Sequence, residues 1–405
     1  MSRPVDARSL RARVVIPTVL AGLSMIGPFS IDSPFPAFGR IAAEFDVSAT
    51  QMQLVVTSYM LAFAVMSVFH GPLSDAIGRR PMLTWGVAVY ALASLATAFA
   101  PTFGWLLFFR VVQGLSAGAG VIVSRTVIRD LFDGEVAQRL MSRVVMIFGI
   151  APAIAPVVAG ALLQVGDWRL VFAFQAGFGL LLVGLVLVAL PETHPPERRT
   201  PLRVGAIVRG LLRVSRSPAV WRLSVTAAMV MGGSFLYIGG AALIAEGLLG
   251  LGELDYWQFF GPLIAGMVVG SWVSGRAAGV ITGRRLVTYG VGFCVVMAAA
   301  TVVMASSPVG GRLPWAMVGP SLIMLGTGMA FPTLQLMLLD AYPAARGTVV
   351  SYSTFLTLAF NATVAVTVTP LAAGSLVTLA LTALAMVTVG ALSWTVHVRL
   401  ARRIP

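Results

Sequence analysis

The 405-residue chain has no lysine, one cysteine, three histidines and only fifteen acidic residues. Each shortage closes off a class of function. The single thiol, Cys294, rules out an intramolecular disulfide, and its place inside an apolar run assigns it to packing. His70, His194 and His397 stand too far apart for any metal-ligand spacing. A phosphate-binding Gly-x-x-x-x-Gly-Lys-[Ser/Thr] loop is absent, so ATP is not the evident energy source. No enzyme signature remains, and no cofactor or metal is expected. Charged residues make up 11% of the chain, whereas a soluble domain carries about a quarter.

In place of charge there is apolar sequence: 58% hydrophobic residues and a mean hydropathy of +0.91. Runs near the ~20 residues that cross a bilayer recur along the chain, each closed by a charged or Pro/Gly-rich break, which indicates helices rather than a barrel. Twelve are expected. In the first half they cover 14 to 38, 51 to 73, 81 to 100, 104 to 128, 139 to 164 and 169 to 190. The second half gives 220 to 246, 256 to 278, 286 to 306, 313 to 338, 347 to 370 and 374 to 398. The fold class is an all-α membrane protein of two six-helix bundles.

Every one of the 28 basic residues is arginine. Sorted by alternate loops, Arg3, Arg8, Arg11, Arg13, Arg79, Arg80, Arg129, Arg139 and Arg143 share one side with the arginines from Arg198 to Arg222. Arg276, Arg284, Arg285, Arg346, Arg399, Arg402 and Arg403 join them. Arg40, Arg169 and Arg312 fall on the other side, while Arg110 and Arg125 lie within a span. By the positive-inside rule both termini are cytoplasmic. The formal charge of +13 is that signal, not a nucleic-acid surface. The N-terminal apolar run exceeds a typical signal-peptide core and is expected to be retained as the first span. Residues 191–219 hold Pro191, Pro195, Pro196, Pro201 and six arginines. They divide the chain into a bundle at 1–190, a basic cytoplasmic linker and a bundle at 220–405, the layout of a transporter built from repeats. Gly283-Arg284-Arg285 echoes Gly78-Arg79-Arg80, without a matching acid.

Gly71-Pro-Leu-Ser-Asp-Ala-Ile-Gly-Arg-Arg80 is the densest polar interruption. Gly71 and Gly78 allow close helix approach and a tight turn before a helix expected to start at Pro81. Asp75 at a helix C-terminus opposes the dipole and needs a partner, either Arg79 or the N-terminus of a neighbouring helix. The competing reading is a solvated, positive-inside turn. The stretch resembles the signature between the second and third helices of the major facilitator superfamily. That resemblance implies a latch formed by Asp75, Arg79 and Asp130 against the helix starting near Gly347. The residue after the acid, often basic in the family, is here Ala76.

In the fourth span Arg110, Gln113, Ala117 and Ser124 share a helical face. An arginine inside a span costs at least ~2.5–3.5 kcal/mol, so it marks a pathway or a pair, unless it snorkels to the interface. Arg110-Val-Val-Gln113-Gly114 resembles the family's Arg-x-x-Gln-Gly motif, which implies proton coupling. Arg125 and Arg129-Asp130 are read as latch or anchoring residues. Asp32 lies among Pro28, Pro34 and Pro36, whose missing donors loosen the backbone as in broken transporter helices. A carboxyl among apolar walls can exchange a proton for a cationic compound; the alternative is an interfacial acid, since Arg40 follows two turns later. In the fifth span Gly149, Pro152, Pro156 and Gly160 combine a bend with small packing residues. Their pattern is similar to the Gly/Pro-rich helix of drug exporters in that superfamily. Its Ala-Pro-x-x-Ala-Pro form and Arg125-x-x-x-Arg129-Asp130 resemble the bicyclomycin and chloramphenicol resistance branch.

The second half offers Phe235, Tyr237, Met329, Phe331, Gln335, Tyr352, Phe355 and Asn361 as cavity candidates, since soft and aromatic walls suit varied lipophilic compounds. Glu246 and Asp340 are read as interfacial. The expected function is proton-coupled efflux of small amphipathic drugs by alternating access. Its partners are the substrate, protons and the lipid bilayer, and the protein is expected to act as a monomer in the inner membrane. A metabolite uptake symporter on the same fold, or a non-transporting receptor or scaffold, stays open.

Overall fold

A computed structural model describes residues 14–132, 134–277, 280–341 and 346–401. Arg3, Arg8, Arg11, Arg13, Arg402 and Arg403 lie outside these, as do the side chains of Arg129, Arg139, Arg143, Asp340 and Arg346. The regular secondary structure among the described residues is helical, because apolar surroundings leave each backbone group to find its partner within its own segment.

The first half comprises α1 (Ile16–Asp32), the short α2 (Phe38–Phe45), α3 (Ala49–Ile77), α4 (Arg79–Ala98) and α5 (Phe103–Gly118). A π-turn at Ala119–Val123 joins α5 to α6 (Ser124–Leu131); α7 (Gly134–Val165) and α8 (Arg169–Ala189) follow. After α9 (Val204–Ser215) come α10 (Pro218–Gly239), α11 (Tyr256–Ala277), α12 (Gly283–Ala305), α13 (Trp315–Ala341) and α14 (Arg346–Thr363). Further π segments occur at Leu243–Leu248, after α10, and at Val364–Val368, which leads into α15 (Thr369–Ala372), and α16 (Leu376–Ala401) ends the described chain. Nine helices among the described residues are long and apolar enough to cross a membrane. Trp85, Phe99, Leu92 and Val303 are among the large side chains they leave exposed, as lipid-facing surfaces require.

Two compact units emerge. One holds the chain up to Val47 with Leu54–Val204, the other Ser48–Gln53 with Gly205 onward. In the first, α4 packs on α5 and α8, and α1 on α7. In the second, α13 packs on α11 and α12, and α16 on α10 and α12. Glycine permits the closest approaches: a Cβ at Gly114 would run into the Tyr59 carbonyl, and one at Gly270 into the Leu325 carbonyl.

Three sequence expectations change in detail. The first span does not continue to residue 38 as one helix; α1 stops at Asp32, since Pro34 and Pro36 offer no N–H to the turn before them. Gly71 to Arg80 is not a loop. Its first seven residues complete α3, Gly78 alone breaks the helix at φ +103°, and α4 starts at Arg79 rather than Pro81. Gly71 has open space around its missing Cβ, so it mediates no close approach among the described residues.

The repeat echo is also offset by one residue. Arg80 donates from Nη2 to the Leu187 carbonyl of α8 at 2.5 Å, and Arg284 from Nη2 to the Val398 carbonyl of α16. Arg80 and Arg284 therefore play the same part in the two halves, each tying the third long helix of its unit to the last carbonyls of the sixth.

Candidate functional site

Pro34 sits four residues after Ser30 and cannot close the helical bond to the Ser30 carbonyl. Arg110 of α5 supplies the missing donor from Nη2, at 3.0 Å. The same guanidinium donates from Nε to the Val55 carbonyl of α3 at 2.9 Å and from Nη1 to Gln113 Oε1 at 2.9 Å. It also lies 4.5 Å from the Tyr59 ring centroid. Arg110 is fully buried, so it does not snorkel. A desolvated charge held by three acceptors and a π face is an internal fastener for α1, α3 and α5.

The network continues through residues that the sequence did not single out. Gln113 Nε2 donates to Ser94 Oγ of α4 at 2.6 Å and to Gln175 Oε1 of α8 at 3.1 Å, and Gln175 Nε2 donates to Ser33 Oγ at 2.7 Å. Ser30 Oγ pairs with Tyr90 Oη at 2.6 Å. Gln175 thus closes a polar circuit beginning and ending beside Asp32. Its only sequence signal is an amide in an otherwise apolar eighth helix.

Asp32 is 2% exposed, and its Oδ1 takes no hydrogen bond among the described residues. It ends α1 and forms no ion pair with Arg110 among the described residues. The Arg110 donors go to two main-chain carbonyls and Gln113.

At the other end of α3 and α4, Arg79 is 6% exposed and lies between two carboxylates. Nη1 donates to Asp75 Oδ1 and to Ser74 Oγ, and Nε donates to Asp130 Oδ2 at 3.1 Å. Asp75, Arg79 and Asp130 therefore come together as one cluster. Gly347 belongs to the first turn of α14, in the other unit. A partner the sequence did not reveal is Glu192, whose Oε1 accepts from the Arg79 main-chain N–H at 3.0 Å, capping α4 with a negative charge. The chain after α8 lies along this turn: Thr193 Oγ1 donates to Asp130 Oδ2 at 2.9 Å, and the Thr200 N–H donates to the Asp75 carbonyl at 3.2 Å.

Gly78 makes this arrangement possible. Its backbone lies in a region essentially reserved for glycine, and an added Cβ would meet Glu192 Oε2 at 2.5 Å and Arg199 Nη2 at 2.8 Å. Gly78→Ala is expected to cost about 1–3 kcal/mol. A thermal melt of the purified variant checks this, and an unchanged melting temperature contradicts it.

A second ion cluster joins α2 to the start of α8. Arg169 donates to Glu44 Oε1 at 2.5 Å and to Asp167 Oδ2 at 2.5 Å, while Trp168 Nε1 donates to Glu44 Oε2 at 2.6 Å. The hydrogen bonds from Arg169 and Trp168 hold the Glu44 carboxyl below its usual range. Because the folded value is the lower one, the stabilisation is present above the unfolded carboxyl's titration and lost as pH falls through the folded one. For so exposed a pair it amounts to about 0.2–1 kcal/mol. Melting of the parent and Glu44→Gln should therefore differ at neutral pH and converge in acid; a gap that persists in acid contradicts the assignment.

In α7, Pro156 and Gly160 are buried, Pro152 is partly so, and Gly149 has open space about it. Ala155 and Ala159 form part of the buried face. In the second unit Phe235, Tyr237, Tyr352 and Asn361 are buried, whereas Met329, Phe331, Gln335 and Phe355 are partly exposed. Asn361 Oδ1 and Tyr237 Oη take no hydrogen bond among the described residues. The core beside them is polar: Ser234 Oγ pairs with Thr327 Oγ1 at 2.7 Å, and Cys294 Sγ donates to the Ile323 carbonyl at 3.4 Å. Glu246, read as interfacial, accepts from Tyr256 Oη at 2.8 Å.

The Major Facilitator Superfamily model matches residues 20–365. A Bacillus subtilis (strain 168) protein named uncharacterized MFS-type transporter YdgK is 30% identical over 321 residues, 79% of each chain. A Haemophilus influenzae protein named bicyclomycin resistance protein homolog is 33% identical over 254 residues, 63% of this chain and 64% of that one. Among solved structures, a bacterial homolog of the human lysosomal transporter Spinster, inward-facing and occupied, superposes with a TM-score of 0.74. It is 15% identical, covering 96% of this chain and 98% of that one, so it attests the fold alone.

Proposed function

The chain belongs to the major facilitator superfamily, and from that premise we propose that it exports small amphipathic compounds in exchange for protons. It is a multi-pass membrane transporter and not an enzyme. The observation that carries the export reading is Asp32, a carboxyl buried at the end of α1 whose Oδ1 takes no hydrogen bond among the described residues. Such a group is neutral when protonated and attracts a cation when ionised, so proton and cationic compound compete for one place. The Haemophilus relative's name, which concerns resistance to bicyclomycin, supports a drug-like cargo.

In this reading the bundles 1–190 and 220–405 rock about the 191–219 linker, both termini face the cytoplasm of the inner membrane, and the monomer suffices. The Arg110–Gln113–Gln175 circuit keeps the end of α1 in place while Asp32 changes charge. The Asp75–Arg79–Asp130 cluster gates the cytoplasmic end. Gly149, Pro152, Pro156 and Gly160 let α7 bend between states. Phe235, Tyr237, Met329, Phe331, Gln335, Tyr352, Phe355 and Asn361 are the second half's candidates for contact with the compound. Purified protein in vesicles under an imposed proton gradient is expected to release protons when a panel of lipophilic cations is added. Accumulation of sugars or carboxylates with no drug-stimulated proton movement would overturn the proposal in favour of uptake.

A further inference from the structure

Helix α9 presents three different faces in order around its axis, at about 100° per residue. On the packed side Val214 is 1% exposed, and a Cβ at Gly210 would lie 3.5 Å from Thr348 Cγ2 of α14. Beside it runs an apolar stripe of Val204, Val208 and Leu212, spaced four apart and 50%, 42% and 54% exposed. The third face carries Arg209 and Arg213, with Arg216 continuing it just past the helix, all exposed. No acidic residue occurs from Arg198 to Ala245.

Three apolar side chains left in water on a twelve-residue helix are a liability unless something covers them. Position says what. Ser215 lies three residues before Pro218, where the spanning helix α10 begins, so α9 is held at the level where the bilayer meets water. An apolar stripe edged by arginines at that level matches an amphipathic helix lying in a lipid interface, with the basic edge among headgroups. The absence of nearby acids leaves the arginines' charge unanswered within this stretch and selects anionic lipid. We propose that α9 is a membrane-surface anchor: Val204, Val208 and Leu212 enter the acyl boundary, and Arg209, Arg213 and Arg216 bind anionic phospholipid headgroups.

The test uses the full chain with Cys294→Ser and an environment-sensitive fluorophore on Val208→Cys or, on the polar side, Ala206→Cys. Vesicles are made of phosphatidylcholine alone or mixed with phosphatidylglycerol. Iodide reports water contact, and doxyl-labelled lipid reports acyl contact. In the mixed vesicles the label at 208 should be shielded from iodide and quenched by the doxyl lipid, while that at 206 stays open to iodide. Replacing Arg209, Arg213 and Arg216 by glutamine should weaken attachment about fivefold per charge removed. The same three positions as lysine should keep it, which separates loss of charge from loss of the helix. Equal shielding in both vesicle types overturns the proposal. So does shielding without doxyl quenching, which places a protein partner or a second copy on the stripe. None of these readings depends on transport, so export could fail while the anchor stands.

Discussion

Asp32→Asn is expected to leave a folded protein that can no longer concentrate its substrate. The exchange is nearly isosteric, and Asp32 Oδ1 makes no hydrogen bond among the described residues that an amide would lose. The loss is in the driving force. One charge moved through 100 mV is worth about 2.3 kcal/mol, so each proton no longer exchanged lowers the attainable gradient by about 50-fold. The measurement is the steady-state substrate ratio across vesicles under a fixed proton gradient, paired with downhill exchange in the same preparation. Downhill exchange surviving while uphill export vanishes is the expected pattern. An Asn variant that still reaches the parent's ratio removes Asp32 from coupling.

Arg110→Ala is expected to strike the fold itself. Removing the guanidinium leaves the Ser30 carbonyl, the Val55 carbonyl and Gln113 Oε1 each without its Arg110 donor inside a buried network. The destabilisation should reach about 3–5 kcal/mol, the cost of breaking a buried charged cluster from one side. Arg110→Lys should fall between, since one ammonium cannot reach acceptors spread over three helices as a planar fork can. Thermal unfolding in detergent, with the yield of monodisperse protein, measures the series. A parent-like melt for the alanine variant would mean that water or a neighbouring side chain takes over the carbonyls.

The helical class, the spans and the polar residues worth following were visible in the sequence, because bilayer thickness dictates run length and helical periodicity dictates which residues share a face. Arg110 and Gln113 were placed on one face and do meet, at 2.9 Å. What periodicity omits is how each helix is rotated against its neighbours. The guanidinium turns to the Ser30 carbonyl, two residues before Asp32 on α1. Pro34 was noted as loosening the backbone, but the specific carbonyl it orphans follows from counting back four residues. Gln175 and Glu192 are 62 and 113 residues from the groups they bind. A lone amide in an apolar helix and an acid in a proline-rich segment carry no spacing that would reveal such pairings. The turn at Gly78 read as a loop of ten because its residues are polar; a single positive φ does the work instead.

Two of Arg110's three partners are main-chain oxygens, and such oxygens are present whatever amino acid is encoded. Codons 30 and 55 can therefore drift without touching the acceptors themselves, while codon 110 cannot change without loss. In a saturation library selected only for folded protein, position 110 should be nearly invariant and position 55 should admit any side chain its packing tolerates. The vulnerability of the network is thereby concentrated in one codon, while the side chains that lend it only their main-chain oxygens stay free to vary.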